Sequence, residues 1–276
     1  MSMENKVILI TGSTDGIGKQ TALDLAKLGA TVLIHGRNRT RCENTLTEIK
    51  TKTGSQSLEF FVADLASLRQ IRNLAKEIKS KHDKLDVLIN NAGVIENQRK
   101  LTEDGYEMTF AVNHLAYFLL TGLLLDLLKK SAPSRIINVS SMSHSSHIDF
   151  DDLQSEKHFR GYSAYSLSKL CNILFTYELA ERLQGSGVTA NCLHPGTINT
   201  KLLRMNFSGG RPVSEGSKTS VYLATAPELE KVTGKYFVDK RETRSSDISY
   251  DPEVRRKLWE MSERMVGFDY TTVLDL

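Results

Sequence analysis

Six short runs rich in Val, Ile and Leu recur along this chain, at residues 7–11, 31–35, 58–62, 87–90, 135–140 and 188–193. None alternates apolar with polar residues, so each reads as a strand covered on both faces. Between them lie stretches of helical period at 17–28, 39–50, 68–80, 105–130 and 162–184. Strands alternating with helices specify a doubly wound α/β fold, with a parallel sheet between two helical layers. A further strand at 235–238 brings the sheet to about seven, and a helix at 253–265 closes the chain. No linker rich in Pro, Gly or Ser divides the 276 residues, so they read as one domain. Two stretches look irregular: 142–160, rich in Ser, His and Asp, and 197–212.

Bulk properties exclude several classes of function. The formal charge is +3, and the basic residues are dispersed along the chain. That leaves no footprint for nucleic acid and no polybasic block for anionic lipid. Cys42, Cys171 and Cys192 are far apart and lack metal-ligand spacing. They read as free thiols in a reducing, cytoplasmic setting. The apolar run at 7–10 is too short for a signal peptide or a membrane span. The Leu-rich stretch at 115–128 is interrupted by Thr121, Gly122 and Asp126, so it reads as a buried helix and not a transmembrane segment.

The first strand runs into Thr11-Gly12-Ser13-Thr14-Asp15-Gly16-Ile17-Gly18, and a helix follows. Glycines are needed where a tight turn brings backbone N–H groups against a pyrophosphate at a helix N-terminus. The spacing is one residue wider than the common dinucleotide fingerprint, but its place after the first strand fits that use. At the end of the second strand, an NAD enzyme places a carboxylate for the ribose hydroxyls. Here the residues are His35-Gly36-Arg37-Asn38-Arg39. With no acid present, and with Arg37 able to grip a 2′-phosphate, NADP(H) is expected in preference to NAD(H).

The fourth strand ends in Asn90-Asn91-Ala92-Gly93, and the fifth in Asn138-Val139-Ser140-Ser141. Tyr165 and Lys169 follow in a helical stretch, one turn apart and so on one face. A neighbouring ammonium favours a phenolate, so Lys169 is expected to lower the pKa of Tyr165. That would make Tyr165 a group able to exchange a proton with an alcohol or carbonyl oxygen.

Alone, each of these motifs is weak. The ordered set TGSTDGIG, NNAG, Asn113, NVSS, YSLSK and PGTINT resembles the single-domain short-chain dehydrogenase/reductase family over nearly the whole chain. The resemblance implies a Rossmann fold, with a cofactor half at about 1–130 and a catalytic half at about 131–276. It implies Tyr165 as acid/base and Lys169 as tuner of its pKa and holder of the nicotinamide ribose. Ser141 would donate to the substrate oxygen, with Ser140 as the alternative, and Asn113 would support a water-linked proton relay. Cofactor contacts are implied at Gly12, Ser13, Asp15, Gly16, Ile17 and Gly18 in the first loop, and at Arg37 after the second strand. They continue at Asp64 and Leu65 near the adenine, and at Asn91, Ala92 and Gly93. Beside the nicotinamide they are Pro195, Gly196 and Thr197, with Tyr165 and Lys169 themselves.

The segments 148–157, 172–180 and 194–196 resemble the retinol dehydrogenase-like and WW-domain oxidoreductase-like members of that family. This implies a small apolar alcohol or carbonyl as substrate. The interval from Ser141 to Tyr165 is longer than in most members. Its His144, His147, Asp149, Asp151 and Asp152 read as a polar surface insertion and not a metal site. Members of the family associate through helices that correspond to 105–130 and 162–184. Both carry more apolar residues than one buried face needs, so a homo-oligomer is expected. Two rivals are a non-catalytic NADP(H)-binding regulatory protein and an epimerase or dehydratase. The intact Ser–Tyr–Lys set argues against the first, and the short segment after the last strand against the second.

Overall fold

The computed structural model describes residues 2–204 and 209–274. Its strands are β1 (Val7–Ile10), β2 (Thr31–Gly36), β3 (Leu58–Val62), β4 (Val87–Asn90), β5 (Ser134–Val139), β6 (Val188–His194), β7 (Tyr236–Val238) and β8 (Arg241–Glu242). They form one sheet in the order β3-β2-β1-β4-β5-β6-β7-β8. Every pairing is parallel except the last, β7 with β8. The sheet therefore has eight strands and not seven. The additional one is a two-residue edge, and the turn into it places Asp239 and Lys240 at φ 46° and 66°. Positive φ at both central residues is the geometry of a tight hairpin turn. Asp-Lys is not a pair that signals such a turn, so the hairpin was not legible.

The major helices are α1 (Gly16–Lys27), α2 (Arg39–Thr53), α3 (Leu68–Lys81), α4 (Met108–Lys130), α5 (Gly161–Arg182), α6 (Lys218–Thr225) and α7 (Pro252–Val266). Along β1, Leu9 packs into one apolar cluster with α3, α4 and α5, while Ile8 and Ile10 pack into a second with α1 and α6. This alternation is the period of two of a strand that is covered on both sides. α4 is long and apolar enough to cross a membrane, but 89% of its most apolar window lies buried in the core. Its first turns include a π-helical segment, Ala111–Leu115.

The C-terminal segment completes the core. Asp251 starts α7 by accepting from the amides of Glu253 and Val254, and Pro252 occupies the first helical position, where a missing N–H costs nothing. Gly267, at φ 58°, ends it in the left-handed region. Trp259 stacks with Phe118, Phe175 and Tyr270 at ring separations of 4.5–5.8 Å, and the Arg182 guanidinium lies 4.3 Å from its ring. The Tyr270 hydroxyl donates to the Phe118 carbonyl at 2.6 Å. The apolar surplus on α4 and α5, which pointed to self-association, is thus covered largely by the same chain. Losing the cap in Asp251→Ala should cost about 1 kcal/mol. Urea unfolding should show it as a lower midpoint with an unchanged slope.

The 142–160 stretch is only partly a surface insertion. Ile148 and Leu153 are buried against the core, and the Gln154 side-chain oxygen accepts from the Glu107 amide at 2.7 Å.

Candidate active site

The strand order reverses between β1 and β4, and in open α/β sheets ligands bind beyond the strand ends at such a point. The loops that leave these two strands are locked together. Thr11 Oγ1 accepts from the amides of Asn91 and Ala92 at 2.9 and 3.1 Å, and Asn91 Nδ2 donates to the Thr11 carbonyl at 2.8 Å. Gly12 sits at φ +64°, and a Cβ there would lie 2.8 Å from Ala92 Cα. A Cβ on Gly18 would collide with the Gly12 carbonyl and Asn91 Nδ2. The close approach of the two loops requires Gly12, and that of α1 to both loops requires Gly18. Asp15 accepts from the Gly16 amide at 2.8 Å. The Ile17 and Gly18 amides, in the first turn of α1, have no acceptor within that helix.

His35 holds this loop from behind. The Gly12 amide can only donate, so His35 Nδ1 accepts from it, at 3.2 Å. Nε2–H then donates to the Ala63 carbonyl at 3.1 Å. Burial pushes the ring down to about 4, so it stays neutral in this role.

Several side chains among the expected cofactor residues are engaged within the protein. The Ser13 hydroxyl donates to the Ile10 carbonyl at 2.8 Å and accepts from the His35 amide at 2.9 Å. The Asp15 carboxylate pairs with Lys201 at 2.7 Å, which holds it below the usual carboxylate range. Leu65 is buried in the core. Asp64 accepts from the Ala66 amide at 3.0 Å, which fixes the turn after β3. Thr197 stands exposed beyond β6, after Gly196 at φ +96°.

At the end of β2, Arg37 is exposed and has no ion pair among the described residues. Arg39 is engaged elsewhere, with its guanidinium 5.4 Å from the Phe60 ring and 3.8 Å from Glu43. Asn38 Oδ1 caps α2 by accepting from the Arg41 amide at 3.0 Å. Thr14 lies against Gly36, so closely that a Cβ there would strike it. Neither Thr14 nor His35 stood out as a cofactor-site residue in the sequence, because only the fold brings β2 beside the first loop.

The catalytic candidates converge on the ends of β4 and β5. Tyr165 and Lys169 share one face of α5, with Lys169 Nζ 5.6 Å from the Tyr165 ring centre. The Ser141 side chain lies beside that of Tyr165 and favours its charged form. Ser140, the alternative, has its buried hydroxyl engaged as a donor to the Lys169 carbonyl at 2.7 Å. Asn113 stands on the π-helical turn, and such turns often mark functional sites. Its Oδ1 accepts from the Val94 amide at 2.8 Å, and its Nδ2 donates to the Val94 carbonyl at 2.9 Å and to Ser168 Oγ at 3.0 Å. A Cβ added to Gly93 would lie 3.5 Å from Asn113 Oδ1 and 3.7 Å from Lys169 Nζ, so this glycine sits beside both side chains.

The electrostatics depart from expectation. Burial pushes Tyr165 up to about 12, against the lowering effect of Ser141. Burial also pushes Lys169 down to about 7, and its Nζ donates to the Val139 carbonyl at 3.0 Å. The expected depression of the phenol by the ammonium is therefore absent: desolvation disfavours both charged forms and outweighs it. Just past Ser141, at Met142 and His144, opens a cavity of about 630 Å³ that is lined also by Tyr236, Val238, Thr243 and Arg244, among others.

A dinucleotide cradle beside a Ser–Tyr–Lys set defines a nicotinamide-dependent oxidoreductase site. The family described as short chain dehydrogenase matches residues 6–209, and the chain belongs to that family. It is 43% identical to retinol dehydrogenase 13 of Homo sapiens, over 99% of this chain and 88% of the relative. Among solved structures, an uncharacterised protein from Mycobacterium paratuberculosis superposes with a TM-score of 0.82 at 30% identity, covering 98% of this chain and 96% of that one. The Pseudomonas aeruginosa RhlG/NADP active-site complex matches with a TM-score of 0.70 at 26% identity, over 86% of this chain and 95% of that one. The chain is an alcohol/carbonyl oxidoreductase of retinol dehydrogenase-like type.

Proposed function

We propose that this enzyme interconverts an apolar alcohol and its aldehyde or ketone, uses NADP(H) in preference to NAD(H), and employs Tyr165 as its acid/base. The observation that carries this reading is the convergence of Ser141 on Tyr165, with Lys169 one turn along the same helix and its Nζ 5.6 Å from the Tyr165 ring centre. The bound nicotinamide supplies hydride to the carbonyl carbon, or takes it from the alcohol carbon. The residues present fit such a cofactor. Gly12 and Gly18 let the loops after β1 and β4 and the start of α1 close together, and the first-turn amides of α1 would hold the pyrophosphate. Arg37 would hold the 2′-phosphate, and Lys169 would hold the ribose hydroxyls.

In reduction, the Tyr165 hydroxyl gives its proton to the oxygen of the developing alkoxide. Ser141 donates a second hydrogen bond to that oxygen and fixes it within reach of Tyr165. In oxidation, Tyr165 takes the proton as phenolate. The retinol dehydrogenase relative supports an apolar substrate, and Met142, Val238 and the Tyr236 ring give the cavity an apolar wall.

A panel of apolar alcohols and aldehydes, followed by nicotinamide absorbance, tests the reading. Turnover with NADPH is expected. A protein that binds NADPH and turns over none of the panel would move the regulatory alternative ahead. Arg37→Ala should weaken NADPH binding by about 1.5–3 kcal/mol, the value of a hydrogen bond to a charged group. NADH affinity should be unchanged in the same titration. Equal wild-type affinities for the two cofactors would remove the basis for the preference.

A further inference from the structure

We propose that His144 is a positioning residue, which sets the Ser141 hydroxyl and ties it to the wall of the substrate cavity. The inference rests on the reading of Ser141 as a donor to the substrate oxygen.

β5 ends at Val139, and the chain then turns sharply through Ser141–His144. The Ser141 carbonyl accepts twice from His144, from the backbone amide at 3.2 Å and from ring Nδ1 at 2.7 Å. On the far side of the ring, Nε2 lies 3.1 Å from the Ser246 amide. That amide can only donate, so Nε2 is the acceptor and the proton sits on Nδ1. One neutral tautomer satisfies both bonds. The Tyr236 ring packs edge-on against the imidazole at 5.5 Å. Ser246 Oγ donates to the Ser145 carbonyl at 3.1 Å, and the Ser145 amide donates to the Ser166 carbonyl, on the helix that carries Tyr165, at 3.0 Å.

The imidazole therefore bridges two things that the reaction needs in register. On one side is the turn that aims Ser141 at Tyr165. On the other is the segment containing Thr243 and Arg244, which lines the cavity. His144 itself faces that cavity, but its nitrogens are committed to Ser141 and Ser246, so it aligns groups without exchanging protons with substrate.

The two bonds can be separated by substitution. Asn places a donor near the Nδ1 position, within reach of the Ser141 carbonyl, but cannot reach Ser246. Gln places an acceptor near the Nε2 position and leaves the Ser141 carbonyl without its ring donor. His144→Gln should lower kcat by up to roughly 10²-fold, the cost of a small misplacement of a reacting group. His144→Asn should keep kcat near wild type and raise KM, because only the cavity wall is released. NADPH affinity should stay at the wild-type value in both, which also reports an intact fold. In a Ser141→Ala background, His144→Gln should have no further effect on kcat. Equal kcat in the Asn and Gln variants, or a loss in the Gln variant that persists without the Ser141 hydroxyl, would overturn the proposal. Full turnover by Ser141→Ala alone would instead overturn the role of Ser141 on which it rests.

Discussion

Tyr165→Phe should bind NADPH as the wild type does and turn over roughly 10²–10⁴-fold more slowly, the loss expected for a general acid. The substitution keeps the ring and removes only the hydroxyl that Ser141 meets. Lys169 keeps its bond to Val139, so the side chain proposed to hold the ribose is undisturbed. The pH profile gives a second reading. Burial raises Tyr165 to about 12, so its proton is in place across the neutral range and the reductive rate should be flat there. Oxidation needs the phenolate and should climb with pH on the alkaline side. In the Phe variant that climb should disappear. Near-wild-type turnover by this variant would mean that another group moves the proton.

Lys169→Met should lose most turnover and weaken cofactor binding, yet the unliganded protein should be more stable than wild type at neutral pH. The buried ammonium is depressed to about 7 from an ordinary value of 10.5. Between those values the unfolded chain holds more protons than the folded one, so wild-type stability rises with pH through that window. Below about 7 the burial penalty is fully present, and above 10.5 it is gone. The stability gain of the Met variant should therefore be largest near and below neutrality and shrink as pH climbs. Urea titrations at several pH values measure it. A variant less stable than wild type at pH 6 would show that the bond to Val139 outweighs the cost of burying the charge.

What the sequence revealed and what it hid divide along a physical line. Runs buried on both faces carry their own signature, so β1 through β6 were legible from composition and spacing. β8 was not, because two exposed residues leave no apolar pattern. Tyr165 and Lys169 were legible because one helical turn fixes their relation. The family resemblance favoured Ser141 over Ser140, and the path of α5 supplies a physical reason, since it engages the Ser140 hydroxyl and brings Ser141 beside Tyr165. The pKa of Tyr165 was misread because a charge four residues away is visible in a sequence, whereas desolvation is a property of everything packed around it. His35 and His144 escaped for a related reason: their partners lie 23 and 102 residues away along the chain.

The aromatic stack under α5 has a consequence for how the chain is made. Phe118 and Phe175 are synthesised well before Trp259 and Tyr270, the rings that cover them. While the ribosome is still adding residues after Arg182, this face of the nascent protein is open to water and to other chains. A domain emerging at about 5–20 residues per second spends seconds in that state. Packing around α5 is therefore tied to the arrival of a segment that follows it well along the chain. Chains stalled before Trp259 should be ready clients for holdase chaperones.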